Sequence, residues 1–125
     1  MLSKTQVLKA RKAIERMYTG TCRVTEHQKV KSETSKLVSY CDKVVLEDQP
    51  CRLSFQRSDP TQQTESAAGI EQVIKLFLAP EVTVRPGSKV TVTQDGVTAD
   101  YKRSGVPAVY PTHQEIVLEL FERWA

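Results

Sequence analysis

The sequence has only three cysteines, Cys22, Cys41 and Cys51, an odd number without a Cys-x-x-Cys pair or a histidine at ligand spacing. Neither a disulfide framework nor a zinc site is indicated. Cys22 and Cys51 fall at core-side positions of predicted strands, where a reduced thiol of a cytosolic protein behaves as a small apolar side chain. No apolar run approaches the ~18 residues of a membrane span, and Met1 to Ala10 lacks the apolar stretch of a signal peptide. A soluble product made in the cytoplasm is expected. Aromatics make up 6% and apolar residues 39%, a little below the globular norm, so the core is modest, with polar loops or a surface buried only on assembly. The net charge of +3 is mild. A dedicated nucleic-acid domain concentrates far more Lys and Arg on one face. The length fits one domain, residues 1–125.

Chemistry is sparse as well. Gly87-Ser88-Lys89 lacks the upstream glycine of a phosphate loop and has Ser and Lys in the wrong order, so it reads as a turn between strands. The two histidines each have a carboxylate nearby in sequence, Glu26 beside His27 and Glu115 two residues after His113. No nucleophile elbow, His-Glu-x-x-His or paired-carboxylate signature accompanies them. Surface or packing roles are expected, with no enzyme activity, no metal and no cofactor.

The most legible segment is Val82 to Phe121, which reads as an antiparallel meander. Asp95-Gly96 fits a two-residue turn of the primed type, which needs positive φ at both positions. Cross-strand pairs follow by alternation: Gln94 with Val97, Thr93 with Thr98, Val92 with Ala99, Thr91 with Asp100, Val90 with Tyr101. One face then carries Val90, Val92, Val97, Ala99 and Tyr101, the other Thr91, Thr93, Thr98 and Asp100. A slip of one residue buries hydroxyls and a carboxylate. After a connection from Gly105 to Pro111, a strand from His113 to Phe121 places Ile116, Leu118 and Leu120 on one side.

Upstream, Ser3 to Tyr18 has Val7, Leu8, Ile14, Met17 and Tyr18 at helical spacing, with a Ser3/Gln6 capping box and Gly20 as a stop. The polar face holds Lys4, Lys9, Arg11, Lys12 and Arg16 against Glu15 alone. It is either a solvated face or one that contacts phosphate or a partner. Thr21 to Gln28 and Leu37 to Leu46 read as strands joined by a polar loop, Lys29 to Lys36. After a turn at Asp48 to Pro50, Cys51, Leu53 and Phe55 mark the core side of another strand. Arg57 to Ala68 is the most polar stretch, with nothing to anchor it in a core. Ala67 to Pro80 fits helix or strand; Gly69 and Pro80 disfavour a long helix, and a strand from Gln72 to Ala79 is preferred. Pro86-Gly87 turns the chain into the Val90 strand. The aromatics Tyr40, Phe55, Phe77, Tyr101, Tyr110, Phe121 and Trp124 fit core or interface roles better than a base-stacking platform. The fold expected is mainly β, a small antiparallel barrel over about residues 21–122 with an N-terminal helix over 3–18 and long polar loops.

Gln49 to Phe55, Ile74 to Pro80, Pro86 to Lys89, Tyr110 and His113 to Leu118, taken in order, resemble the head-completion (stopper) proteins of tailed-phage connectors, most closely the XkdH/YqbH family of PBSX-type prophages. The resemblance runs from Thr21 onward, and the Ser3 to Tyr18 helix fits it. It implies a non-enzymatic virion protein, made in the bacterial cytoplasm, that forms a ring, commonly dodecameric, in the head-tail connector. Its neighbours are then other copies of itself, portal and adaptor proteins, and tail-terminator or tail-tube proteins. Packaged double-stranded DNA passes through the channel, and no membrane is involved. By the same resemblance the channel loop is Asp59, Thr61, Gln62, Gln63, Thr64, Glu65 and Ser66, whose polar groups can hydrogen-bond between subunits but lack the cations that hold phosphate. Interface candidates are Lys9, Lys12 and Arg16 on the helix and His113, Glu115, Phe121 and Trp124 near the C-terminus. The alternatives are an adaptor or tail-terminator position in the same connector, or a small barrel that binds single-stranded nucleic acid.

Overall fold

A computed structural model describes residues 3–31, 34, 37–57 and 72–124. Among them, helix α1 (Lys4–Glu15) precedes β1 (Gly20–Lys31), β2 (Val38–Arg57), β3 (Gln72–Leu78), β4 (Lys89–Gln94), β5 (Val97–Val109) and β6 (Gln114–Leu120). Neighbouring strands are antiparallel, and the order β1-β2-β3-β6-β5-β4 closes into a barrel through the β4–β1 pair. Closure removes the open edges of a one-sided sheet. The inward alternation of each strand fills the interior with Cys22, Val24, Cys51, Leu53, Ile74, Leu76, Leu78, Val90, Val92, Tyr101, Ile116 and Leu118, together with Val84.

The β4–β5 hairpin has the predicted register, from Gln94 with Val97 to Val90 with Tyr101. Asp95 and Gly96 both have positive φ, 53° and 78°, as a primed turn requires. On the outer face Thr93 and Thr98 hydroxyls lie 2.9 Å apart, and the Thr91 hydroxyl donates to the Asp100 carboxylate at 2.7 Å. The strand reading of Gln72 onward also holds. β3 pairs with β2 and β6 and buries Ile74, Leu76 and Leu78, a period of two that a helix would break.

Several expectations are corrected. Val97, Leu120 and Phe55 lie on the predicted faces but are 66%, 64% and 52% exposed, because they stand beyond the layer of side chains that fills the barrel. The turn expected at Asp48 to Pro50 is absent: β2 runs on through it as two bulges. Cys22 pairs with Gln49, Val24 with Leu46 and Thr25 with Val44, so β2 takes up two residues more than β1. Asp48, at φ 51°, absorbs the first, and Pro50 stands just before β3 pairing begins at Cys51. Likewise the Gly105 to Pro111 connection is mostly strand. β5 bulges between Ser104 and Ala108 around Gly105 (φ 72°) and pairs again through Val109.

Lys29 to Lys31 belong to β1. Val82 to Arg85 lie outside any strand, so the meander starts at Lys89. Helix α1 has the predicted capping box but ends at Glu15, where its last amides tighten to shorter bonds, Met17 to Ile14 and Tyr18 to Glu15. Gly20 is a strand residue and no helix cap. A Cβ there would stand 3.0 Å from the Thr93 carbonyl oxygen and 3.1 Å from Gln94 Oε1. That close approach lets the Gln94 amide bond both the N–H (2.8 Å) and C=O (3.2 Å) of Leu53, taking the place of a strand neighbour where β1 begins.

Candidate functional site

The last β1–β4 pair is Thr25 with Lys89, and β3 joins β2 only from Cys51. From Glu26 to Lys31 and from Val38 to Lys43 the two strands therefore have only each other, as a ribbon that projects past the barrel. The bulges in β2 at its base increase the local twist. Directly opposed residues share a face, so His27, Lys29, Lys31, Val38, Tyr40 and Asp42 lie together.

At its root the ribbon is clamped. The His27 ring is stacked between Tyr40 (4.7 Å, 5° between planes) and Trp124 (4.8 Å, 14°), and His27 Nδ1 lies 2.8 Å from Asp42 Oδ1. Trp124 is brought there by the segment after β6. The Phe121 amide donates to the Asp100 carbonyl at 3.1 Å, Lys89 Nζ sits 5.1 Å from the Phe121 ring centroid, and Phe121 meets Trp124 edge-on. The clamp borders an open cleft of about 610 Å³ lined by Glu26, Lys29, Arg85 and Ser88 besides the three rings. The Ser88 hydroxyl is buried without a partner, and Arg85 Nε approaches Glu26 at 3.8 Å.

A second cluster stands where β5 turns into β6. His113 Nδ1 is 2.9 Å from the Thr112 hydroxyl and Nε2 is 3.0 Å from Glu115, whose other oxygen is 3.7 Å from Lys75 Nζ. The ring stacks on Tyr110 and tilts against Phe77. Both imidazole nitrogens are engaged, so the group holds the hairpin against β3. Beneath it, buried Gln114 donates its amide to the Ala79 and Val82 carbonyls and fastens the irregular segment that leads to β4.

Helix α1 buries none of its residues, and Leu8 is 58% exposed. It is tied to the barrel near its C-terminal end. Arg11 bonds Glu15 at 2.7 Å and also Glu81, the Arg52 guanidinium reaches Met17 Sδ at 3.3 Å, and the Tyr18 hydroxyl is buried unpartnered. The hydrogen bonds that Arg11 donates to Glu81 and Glu15 raise its pKa, and Arg11 in turn lowers that of Glu81. Burial raises the Tyr18 pKa.

Of the residues singled out from sequence, Lys9 and Lys12 stand exposed on α1 and Arg16 at its C-cap, His113 and Glu115 form the second cluster, and Phe121 and Trp124 build the clamp. They fall in three different places. His27, Tyr40 and Asp42 were not assigned to a common site. The strands that hold them were legible, but their pairing depends on the β2 bulges. The channel-loop residues Asp59 and Thr61 to Ser66 lie outside the described residues. The turn expected before β4 falls at Pro86 and Gly87, with Gly87 at φ 78° and the Ser88 amide donating to the Arg85 carbonyl, and Lys89 already begins β4. Cys22 and Cys51 are buried; a hydrogen bond with Cys22, then burial, push the Cys51 thiol up, so it stays protonated at neutral pH. Among the described residues no group of three or more His, Cys, Asp or Glu is placed to hold a metal.

No family model matches the sequence, and no curated protein matches it. Among solved structures, the phage-like element PBSX protein xkdH from Bacillus subtilis is similar at a TM-score of 0.48 and 12% identity, over 78% of this chain and 90% of that one. No family membership follows from a likeness this distant.

Proposed function

We propose that this protein is a non-enzymatic structural component of a phage head-tail connector, assembling as a ring that closes the DNA channel after packaging and joins the portal and adaptor to the tail. The observation that carries the reading is where the chain leaves apolar surface exposed. The barrel interior is filled, yet apolar side chains stand exposed outside it: Val38 and Tyr40 on the ribbon are 47% and 61% exposed, and Val106, Val109 and Tyr110 on the β5–β6 hairpin are 88%, 63% and 46%. Exposed apolar side chains grouped in this way mark surfaces that meet other proteins. The resemblance of Gln49 to Phe55, Ile74 to Pro80 and His113 to Leu118 to stopper sequences supplies the particular assembly. In that reading the segment between β2 and β3, with Thr61 to Ser66, faces the channel axis.

Mixing the purified protein with portal and adaptor from the same genome neighbourhood, followed by electron microscopy, tests the reading. An added ring on the adaptor supports it; decoration of tail tubes moves the protein to the tail side, and binding to neither refutes it. Deleting Thr61 to Ser66 leaves the fold intact but lets packaged DNA escape; full-titre particles from that deletion would sink the gate assignment. A second reading, single-stranded nucleic-acid binding, draws on the exposed Tyr40 ring beside Lys29. It predicts affinity that falls steeply with salt and is lost in Tyr40→Ala.

A further inference from the structure

Lys29 and Lys31 share one face of the ribbon with Val38 and Tyr40, and among the described residues neither lysine has an ion-pair partner. At the other end of β1 and β4 the charge is opposite. Thr25 pairs with Lys89 beside the ribbon, whereas Thr21 pairs with Thr93 next to the Asp95-Gly96 turn. There the barrel surface has a depression of about 210 Å³ lined by Glu47, Asp48, Arg23 and the threonines Thr21, Thr91, Thr93 and Thr98. Glu47 and Asp48 are exposed, as is Asp95, two residues after Thr93 in the β4–β5 turn, and no described residue forms an ion pair with them.

We propose that the Lys29/Lys31 face of the β1–β2 ribbon docks on the Glu47/Asp48/Asp95 surface of a second copy of this chain. Glu47 and Asp48 lie opposite Arg23 at the ribbon's base, whereas the lysines stand six and eight residues further along β1, roughly 20 Å or more away, so one copy cannot satisfy its own. The contact is therefore heterologous, and repetition by rotation closes a ring or extends a filament. A two-stranded ribbon is marginal by itself in water, and the charges of Lys29 and Lys31 are complementary to the carboxylates of Glu47, Asp48 and Asp95, which outnumber the one cation, Arg23, in that lining. Tyr40 supplies the aromatic anchor. The inference names the subunit contact of the proposed ring and rests on that reading only for the ring's closure.

Two variants of the full chain test it in sedimentation velocity across protein concentration and salt. K29E/K31E reverses the ribbon. E47K/D48N/D95N reverses the acceptor, with Asn introduced at the two positive-φ positions because Asn tolerates that conformation. The wild type self-associates, and more weakly as salt rises. Each variant alone associates at least about tenfold more weakly. An equimolar mixture regains dimers, because the intact acidic surface of one variant receives the intact ribbon of the other. Undiminished self-association of E47K/D48N/D95N would indicate ribbon-on-ribbon contact and overturn the proposal, as would a mixture that regains nothing. A wild type monomeric at every concentration also overturns it, while an added ring on the adaptor would keep the connector reading. Retardation of a DNA duplex by the wild type but not by K29E/K31E, without self-association, assigns the ribbon to nucleic acid instead.

Discussion

Replacing Gln94 with Ala isolates the contact that closes the barrel where β1 begins. The Gln94 side chain is the partner of both backbone groups of Leu53 on the side away from β3, with bonds of 2.8 and 3.2 Å, and Leu53 is 7% exposed. Removing the amide leaves an N–H and a C=O without protein partners in a partly buried position. Each such group costs about 1–3 kcal/mol, and water reaching the gap brings both toward the low end, so a loss of roughly 2–4 kcal/mol is expected. For a domain of this size that lowers Tm by roughly 6–15 °C. The assay is urea unfolding of Gln94→Ala, Gln94→Met and wild type, followed by far-ultraviolet circular dichroism. Gln94→Met keeps the bulk but not the bonds, so it should lose nearly as much as Gln94→Ala. A loss under about 1 kcal/mol in both, with unchanged m-values, would refute the reasoning, since it would mean that the Leu53 groups are already hydrated.

The chain has a single tryptophan, so emission reports on the clamp alone: His27→Ala should red-shift Trp124 and raise its quenching by acrylamide, and trypsin should then cut the ribbon at Lys29 or Lys31 sooner. Glu81 has its pKa lowered by Arg11, so its contribution is present above its usual value of 4.5 and lost as pH falls through the lowered one. The difference in urea midpoint between wild type and Glu81→Gln should be constant above pH about 5 and vanish at lower pH; with the Glu81 side chain 63% exposed it amounts to about 0.5 kcal/mol or less. Gly20→Ala places a Cβ against the Thr93 carbonyl and should destabilise by about 1–3 kcal/mol in the same unfolding assay. Under native conditions a thiol reagent should titrate Cys41 alone, with Cys22 and Cys51 reacting only after unfolding.

Features set by neighbours along the chain are legible in the residues alone. Asp95-Gly96 demanded a primed turn, and from it the whole β4–β5 register followed, because alternation carries a turn's geometry down both strands. Ser3 and Gln6 likewise fixed the start of the helix. Period two shows the core side of each strand but not how far the core extends, so Phe55, Val97 and Leu120 lie on the expected faces and yet stand exposed. The bulges in β2 and β5 depend on long-range pairing, since an extra residue is tolerated where pairing on either side of it offsets the local distortion. Those bulges carry β2 from the ribbon into the barrel and set which residues of β1 it faces. That is why the stack of His27, Tyr40 and Trp124, drawn from three distant parts of the chain, leaves no local mark in the sequence. The seam at Gln94 is of the same kind: a glutamine next to a turn looks like surface until strand closure brings Leu53 within its reach.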